Sequence, residues 1–350
     1  MNDITTIGID IAKNVMQIHG TDDHGKALLK KRLTRDNFLI SMANQPKCLI
    51  GMEACGSSQF WAKKLIEQGF TVKLMSPLKV KKYVGTNKND ANDAAACAEA
   101  VRRPNMQFVP IKTDVQLEIQ AMHRVRSFFV KERTGLMNMM RGLLAELGIA
   151  MPKGMANLVK KLKVILDVEN NQLSGNSKRL FQRLYEKLKA LNEEIEHHTA
   201  SLEKLAKEDE HCKRISTISG IGPITATAII AKIGNGSDFR KGRELAAYLG
   251  LVPRQHSSGE KHLLLGISKH GDRYVRQLLI HGGRSCAHAA MRTNKHNGLY
   301  EKQDVHSKWI RKLIERVGIN KASVAIANKN ARMIIPLLKN ETTFQPVLAH

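Results

Sequence analysis

The chain has 350 residues, 42% of them hydrophobic, and its 56 Lys+Arg against 32 Asp+Glu give a formal net charge of +24. That length supports more than one packed domain, and the charge points to a polyanion partner, with nucleic acid the first choice. Aromatics at 5% make base stacking a minor contact, five scattered cysteines without a CxxC pair exclude a zinc ribbon or disulfide framework, and the absence of a signal peptide or membrane-length apolar run predicts a cytoplasmic, nucleoid-associated protein.

The first hundred residues read as α/β. "ITTIGIDIA", "VMQIHGTD" and "KALLKKRLT" are strand-like runs, the last two split by the turn signal "DDHG". "DNFLISMAN" follows as a short helix with Asp36 as its N-cap, then the strand "KCLIGMEACG", the helix "SSQFWAKKLIEQG" closed by Gly69, and a fifth strand, "FTVKLMSP". This order predicts a mixed five-stranded sheet with helices packed on it. Residues 113–148 read as one long helix ended by "MPKG". From Phe181 a heptad-like seam runs through Leu184, Leu188, Leu191, Ile195, His198, Leu202 and Leu205. It suits either a helical hairpin within the chain or a coiled coil between chains. Beyond His211 the texture becomes Gly-rich and basic. The expected layout is therefore an α/β domain over 1–112, long helices or coiled coil over 113–210, and a mostly α domain over 211–340.

Four carboxylates stand out. Asp10 and Glu53 lie near the ends of strand runs, while Asp90 and Asp93 open the Ala-rich helix of "KNDANDAAACAEA". A spacing of three puts Asp90 and Asp93 on one helical face, and adjacency of the first and fourth strands would put Asp10 beside Glu53. Four acids in one pocket repel unless divalent cations neutralise them, and Mg²⁺ takes oxygen ligands. Each acid alone reads equally as a turn, cap or helix-dipole residue. In the second half, "SGIGPITA" has the form of a helix-hairpin-helix, in which Gly220 and Gly222 let backbone N–H groups approach a phosphate. "RQHSSGEKH" places Ser257 and Ser258 among Arg254, His256, Lys261 and His262, and taken alone reads as a polar turn. Lys269, Arg273 and Arg276 form a basic face toward phosphate, or a solvated one.

The segments "GIDIAKN", "GMEACG" and "KNDANDAAACAEA", with the order Asp, Glu, Asp, Asp, resemble the RuvC-type (ribonuclease-H-like) domain of the DEDD insertion-sequence transposases. That family is related to the Piv invertases, and its members are guided by a bridge RNA. "ISGIGPITATAIIAKIGN", "LAAYLGLVPRQHSSGEK" and "GISKHGDRYVRQLLIHGG" resemble its C-terminal transposase domain, so the resemblance spans nearly the whole chain in order. It implies a composite active site in which Asp10, Glu53, Asp90 and Asp93 hold Mg²⁺. It also implies a nucleophilic serine, best matched by Ser258 with Ser257 as the neighbouring choice. The implied partners are donor and target DNA, a structured guide RNA, and further copies of the chain as a dimer or tetramer. Two rivals remain at this stage. One is a RuvC-like junction nuclease in which water attacks; the other is a basic architectural DNA-binding protein whose acids only cap and solvate.

Overall fold

A computed structural model describes residues 3–85, 89–167, 173–258, 261–293, 298–299 and 304–345. The chain divides into two compact units, Met1–Thr113 and Asp114–His350. Among the described residues, no helix is long and apolar enough to cross a membrane.

The first unit is built on a sheet of strands β1 (Thr6–Ile11), β2 (Val15–Thr21), β3 (Ala27–Thr34), β4 (Leu49–Glu53), β5 (Thr71–Met75) and β6 (Phe108–Val109). Their order is β3-β2-β1-β4-β5-β6. β1 pairs antiparallel with β2 and parallel with β4. The expected five strands become six because a two-residue segment pairs antiparallel with the end of β5. Helices α1 (Arg35–Ala43) and α2 (Ser58–Glu67) cover one face. There Phe38, Met42, Trp61 and Leu65 pack on Ile7, Ile9, Ile50, Met52 and Leu74, all buried. Alternation along each strand sends these residues to one side and the glycines between them to the other. The N-cap of α1 is Thr34 rather than the expected Asp36, because β3 runs straight into the helix; Asp36 sits in the first turn, where the helix dipole still favours its charge. After the short helix α3 (Pro77–Val80), helix α4 (Asp90–Val101) lies on the opposite face of the sheet.

The second unit is mostly helical. Helix α5 (Asp114–Glu146) runs antiparallel to α7 (Gly175–Glu208), and α6 (Met155–Leu166) lies between them in sequence. Arg126 donates to Thr199 (2.7 Å) and Arg133 to Asn192 (2.8 Å), so position numbers fall on α7 as they rise on α5. The heptad seam is spent here: Phe181, Leu188, Leu191, Ile195 and Leu202 are buried within the chain. Within the chain, these residues are packed in a helical hairpin. Helices α8 (Glu210–Ser216), α9 (Pro223–Ile233), α10 (Gly242–Tyr248), α11 (Arg273–Ala290) and α12 (Val305–Lys339, interrupted at Gly318) form a second core around Ile229, Leu245, Leu279, Ala331 and Ile334. A hairpin of β7 (Pro253–Ser258) and β8 (Lys261–Ile267) connects α10 to α11.

Candidate active site

The carboxylates of the first unit are placed by two glycines. Gly8 and Gly51 are cross-strand partners on β1 and β4, and both face α4. A Cβ on Gly8 would stand 2.0 Å from the Ala94 carbonyl oxygen and 2.3 Å from the Ala98 nitrogen; one on Gly51 would stand 2.6 Å from the Cys97 carbonyl oxygen. The helix answers with small side chains, since Ala94, Cys97, Ala98 and Ala100 are buried. Helix backbone therefore lies directly on strand backbone, closer than any larger residue would permit.

Two residues beyond each glycine comes an acid on the same face: Asp10 after Gly8, Glu53 after Gly51. They lie one position beyond the paired Ile9 and Met52 of adjacent parallel strands. On α4, Asp93 and Asp90 continue the stripe of Cys97 and Ala94 toward the helix N-terminus, where the dipole favours negative charge. Asn89 caps that end by accepting from the Asn92 N–H at 2.8 Å. At the other end, Arg102 donates to the Asp22 carbonyl at 3.1 Å and to the Asp23 carbonyl, tying α4 to the β2–β3 turn. Asp10, Glu53 and Asp93 are half-buried, and Asp90 is exposed. Their charges converge on one reporter. The Cys97 thiol is pushed well above its ordinary range by burial first, then by Glu53 and Asp10, with Asp93 adding to the effect. Exposed Cys55 is raised by its desolvation and by the same Asp10 and Glu53.

Among the described residues, no three His, Cys, Asp or Glu side chains are gathered as ligands of one ion. The donor chemistry still fits a hard divalent cation. Mg²⁺ is commonly held by one or two carboxylates and completes its shell with water and phosphate oxygens, so the Asp10–Glu53 pair supplies a sufficient protein share.

In the second unit the serine motif is a strand end. Ser257 and Ser258 close β7, opposite His262 and Lys261 of β8, and both are exposed. Strand alternation sends them to opposite faces. Ser257 shares its face with Gln255 and accepts a hydrogen bond from the Gln255 Nε2 at 3.0 Å. Ser258 shares the other face with His256. Arg254 is exposed beside a register shift in β7. Gly259 and the side chains of Lys261 and His262 lie outside the described residues.

Arg276 is corrected by the structure. It is 8% exposed, and its Nη1 donates to the Leu249 carbonyl (3.0 Å) and the His270 carbonyl (2.9 Å). Those carbonyls flank the two feet of the β7–β8 hairpin, so Arg276 clamps the base of the strand that carries Ser258 and does not face a polyanion. Lys269 and Arg273 are exposed. Gly220 has φ +89°, and a Cβ there would meet the Gly282 carbonyl oxygen of α11 at 2.7 Å; its glycine is explained by packing. Gly222 is exposed at the N-cap of α9 with Pro223 behind it.

One cluster escaped the sequence reading. His123 of α5 is buried and links the Tyr274 hydroxyl (3.1 Å) to the Thr227 hydroxyl (3.0 Å). Burial, with help from the Arg126 charge, lowers its pKa to about 4. A lone histidine on a long helix gave no signal of this.

Comparison with known proteins gives the family. Residues 7–149 match the DEDD transposase model of IS110 elements, and residues 212–300 match the transposase IS116/IS110/IS902 family. A probable family 20 transposase of Pseudomonas aeruginosa is 41% identical over 98% of this chain and 99% of its own length. The chain belongs to the IS116/IS110/IS902 family of transposases. Within the similarities to this family, the transposase for insertion sequence element IS1111A of Coxiella burnetii is 42% identical over 99% of this chain and 92% of its own. The pilin gene-inverting protein of Moraxella bovis is 25% identical over 79% of this chain and 81% of its own. The DEDD model spans Asp10, Glu53, Asp90 and Asp93, and the IS116/IS110/IS902 model spans Ser258.

Proposed function

We propose that this transposase is an RNA-guided DNA recombinase that cleaves and rejoins DNA through a Mg²⁺-binding carboxylate site and a serine nucleophile. The observation that supports the reading is the Gly8–Gly51 pair, which seats α4, whose first turn holds Asp90 and Asp93, against the two strands that carry Asp10 and Glu53. Asp10 and Glu53, with Asp90 and Asp93 completing the set that the family resemblance implies, would hold the cation, which when bound supplies positive charge for phosphate oxygens. Ser258 attacks DNA phosphorus through Oγ. The Oγ–P bond forms, one P–O bond of the strand breaks, and the proton lost by the seryl hydroxyl is balanced by the one gained by the released deoxyribose hydroxyl. Attack by a hydroxyl of another strand reverses these steps, so the bond energy is kept and no external energy source is required. Arg254, Lys261, Lys269, Arg273 and the backbone at Gly222 would contact phosphates, which position DNA without reading its sequence. Sequence choice then falls to a guide RNA by base pairing. The net charge of +24 and the family resemblance support that partner.

The test is strand cleavage of DNA carrying element ends, with magnesium and the co-purified RNA. Asp10→Asn and Glu53→Gln are each expected to abolish cleavage. Their unfolding midpoints should hold or rise, because neutralising one acid relieves repulsion in the metal-free protein. Wild-type cleavage by both variants overturns the carboxylate site. Unchanged target choice after RNase treatment overturns the guided reading.

A further inference from the structure

A second basic cluster, none of it among the site residues named above, lies in the second unit. At the first residue of α10, a Cβ on Gly242 would stand 1.9 Å from the Arg332 carbonyl oxygen of α12. The two helices thus touch backbone to backbone. That contact brings Lys241 and Arg243, which flank the glycine, to Lys329 and Arg332 across a cleft of about 720 Å³. Trp309 forms part of its wall. Among the described residues no carboxylate lines this cleft, and none of the four cations has an ion-pair partner.

Four like charges around one concavity are unfavourable unless something offsets them. The protein offsets one in part. Lys329 is half-buried, and its Nζ stands 3.9 Å from the centre of the Trp309 ring, a cation–π contact. Burial first, then the Arg332 charge, still holds Lys329 below the ordinary lysine range. Among the described residues the other three cations have no ion-pair partner.

We infer that the cleft between α10 and α12 binds the phosphodiester backbone of a nucleic-acid strand, with Lys241, Arg243, Lys329 and Arg332 as phosphate contacts. This rests on the reading that the protein works on nucleic acid, and it adds a contact separate from the serine hairpin and the carboxylates. Backbone is favoured over bases because the Trp309 ring already carries Lys329 and has His306 at 5.5 Å. DNA and RNA offer the same phosphodiester, so the experiment carries an arm for each.

Full-length protein is titrated into a labelled DNA duplex and, separately, a labelled RNA hairpin, and binding is read by anisotropy over a salt series. Three proteins are compared: wild type, Lys241→Gln/Arg243→Gln, and Lys187→Gln/Lys189→Gln on exposed positions of α7, which removes the same charge elsewhere. The cleft variant is expected to lose about two units of log–log salt slope, roughly 0.9 for each phosphate contact removed, on at least one polymer. The α7 variant should keep the wild-type slope. Loss on DNA alone, RNA alone or both supports the site and names the strand that occupies it. An unchanged slope in the cleft variant on both polymers, or an equal loss in the α7 variant, overturns the site while leaving nucleic-acid binding intact. A wild-type protein that binds neither polymer overturns the reading beneath it as well.

Discussion

Replacing Gly8 by alanine adds one methyl group, and the structure says where it goes. The new carbon would sit 2.0 Å from the Ala94 carbonyl oxygen, 2.3 Å from the Ala98 nitrogen and 2.9 Å from the Ala98 Cβ. Two of these are helix backbone and cannot rotate away. Ordinary contact starts near 3.4 Å, so the inner turn of α4 must withdraw by about 1.4 Å. Overpacking of this kind costs about 1–3 kcal/mol. For a unit of this size that lowers the unfolding midpoint by roughly 4–12 °C. The larger effect is on function. Asp93 adjoins Ala94 and Asp90 lies one turn before it, so both aspartates move with the displaced turn while Asp10 and Glu53 stay on their strands. A displacement of about 1 Å in a reacting constellation costs on the order of 100-fold in rate. Gly8→Ala is therefore expected to cleave DNA at least about 100-fold more slowly than wild type, measured well below its melting midpoint with an unchanged far-UV spectrum. Gly142→Ala is the control. Nothing lies within 4 Å of a Cβ at Gly142 in α5, so it should stabilise by about 0.5–1 kcal/mol and leave cleavage alone. Wild-type cleavage and melting by Gly8→Ala would refute the seating of α4.

Two further outcomes follow from the second unit. Burial holds the His123 pKa down to about 4 in the folded protein, against about 6.5 for an ordinary histidine in the unfolded chain, so between those values the unfolded chain binds more protons. Stability should fall as pH drops from 6.5 to 4, by up to about 3 kcal/mol, and His123→Gln should flatten that limb in a urea titration at stepped pH; an unchanged slope contradicts it. Leu188 and Ile195 are buried in the α5–α7 pair, so Leu188→Ala should cost about 2–5 kcal/mol in denaturant unfolding. Light scattering on the same variant should show the wild-type mass under native conditions; dissociation without loss of stability would return the seam to an interface between chains.

Much of the first unit was legible because its strands alternate. Ile7 and Ile9 face one helical layer while Gly8 and Asp10 face the other, and Gly51, Met52 and Glu53 repeat the pattern. In both strands the glycine two residues before the acid is what seats α4 against the sheet. β6 was not legible: two residues have no period, and Phe108–Val109 is a strand only because the edge of β5 is open to it. The seam on α7 was legible as a seam but not as to its partner, because spacings of three and four look alike whether the facing helix is α5 or another chain. The β7–β8 hairpin hid because all of β7 is exposed and so shows no buried alternation. Arg276 was read by its spacing from Arg273, which could not show that the Leu249 and His270 carbonyls claim it. The α10–α12 cleft joins residues nearly ninety positions apart, and only the closed fold brings them together.

The central claim is that serine chemistry on one strand end, supported by the carboxylate site, breaks and remakes DNA. Denaturing electrophoresis of labelled DNA, after incubation with protein, magnesium and the co-purified RNA, tests it most directly. Wild type should leave a protein–DNA adduct that survives denaturation. Ser258→Ala should remove it, while Ser257→Ala, whose hydroxyl faces Gln255, should keep most of it. Cleavage by wild type with no adduct would show that water is the nucleophile, and an adduct lost only in Ser257→Ala would put the chemistry on the other face of the hairpin.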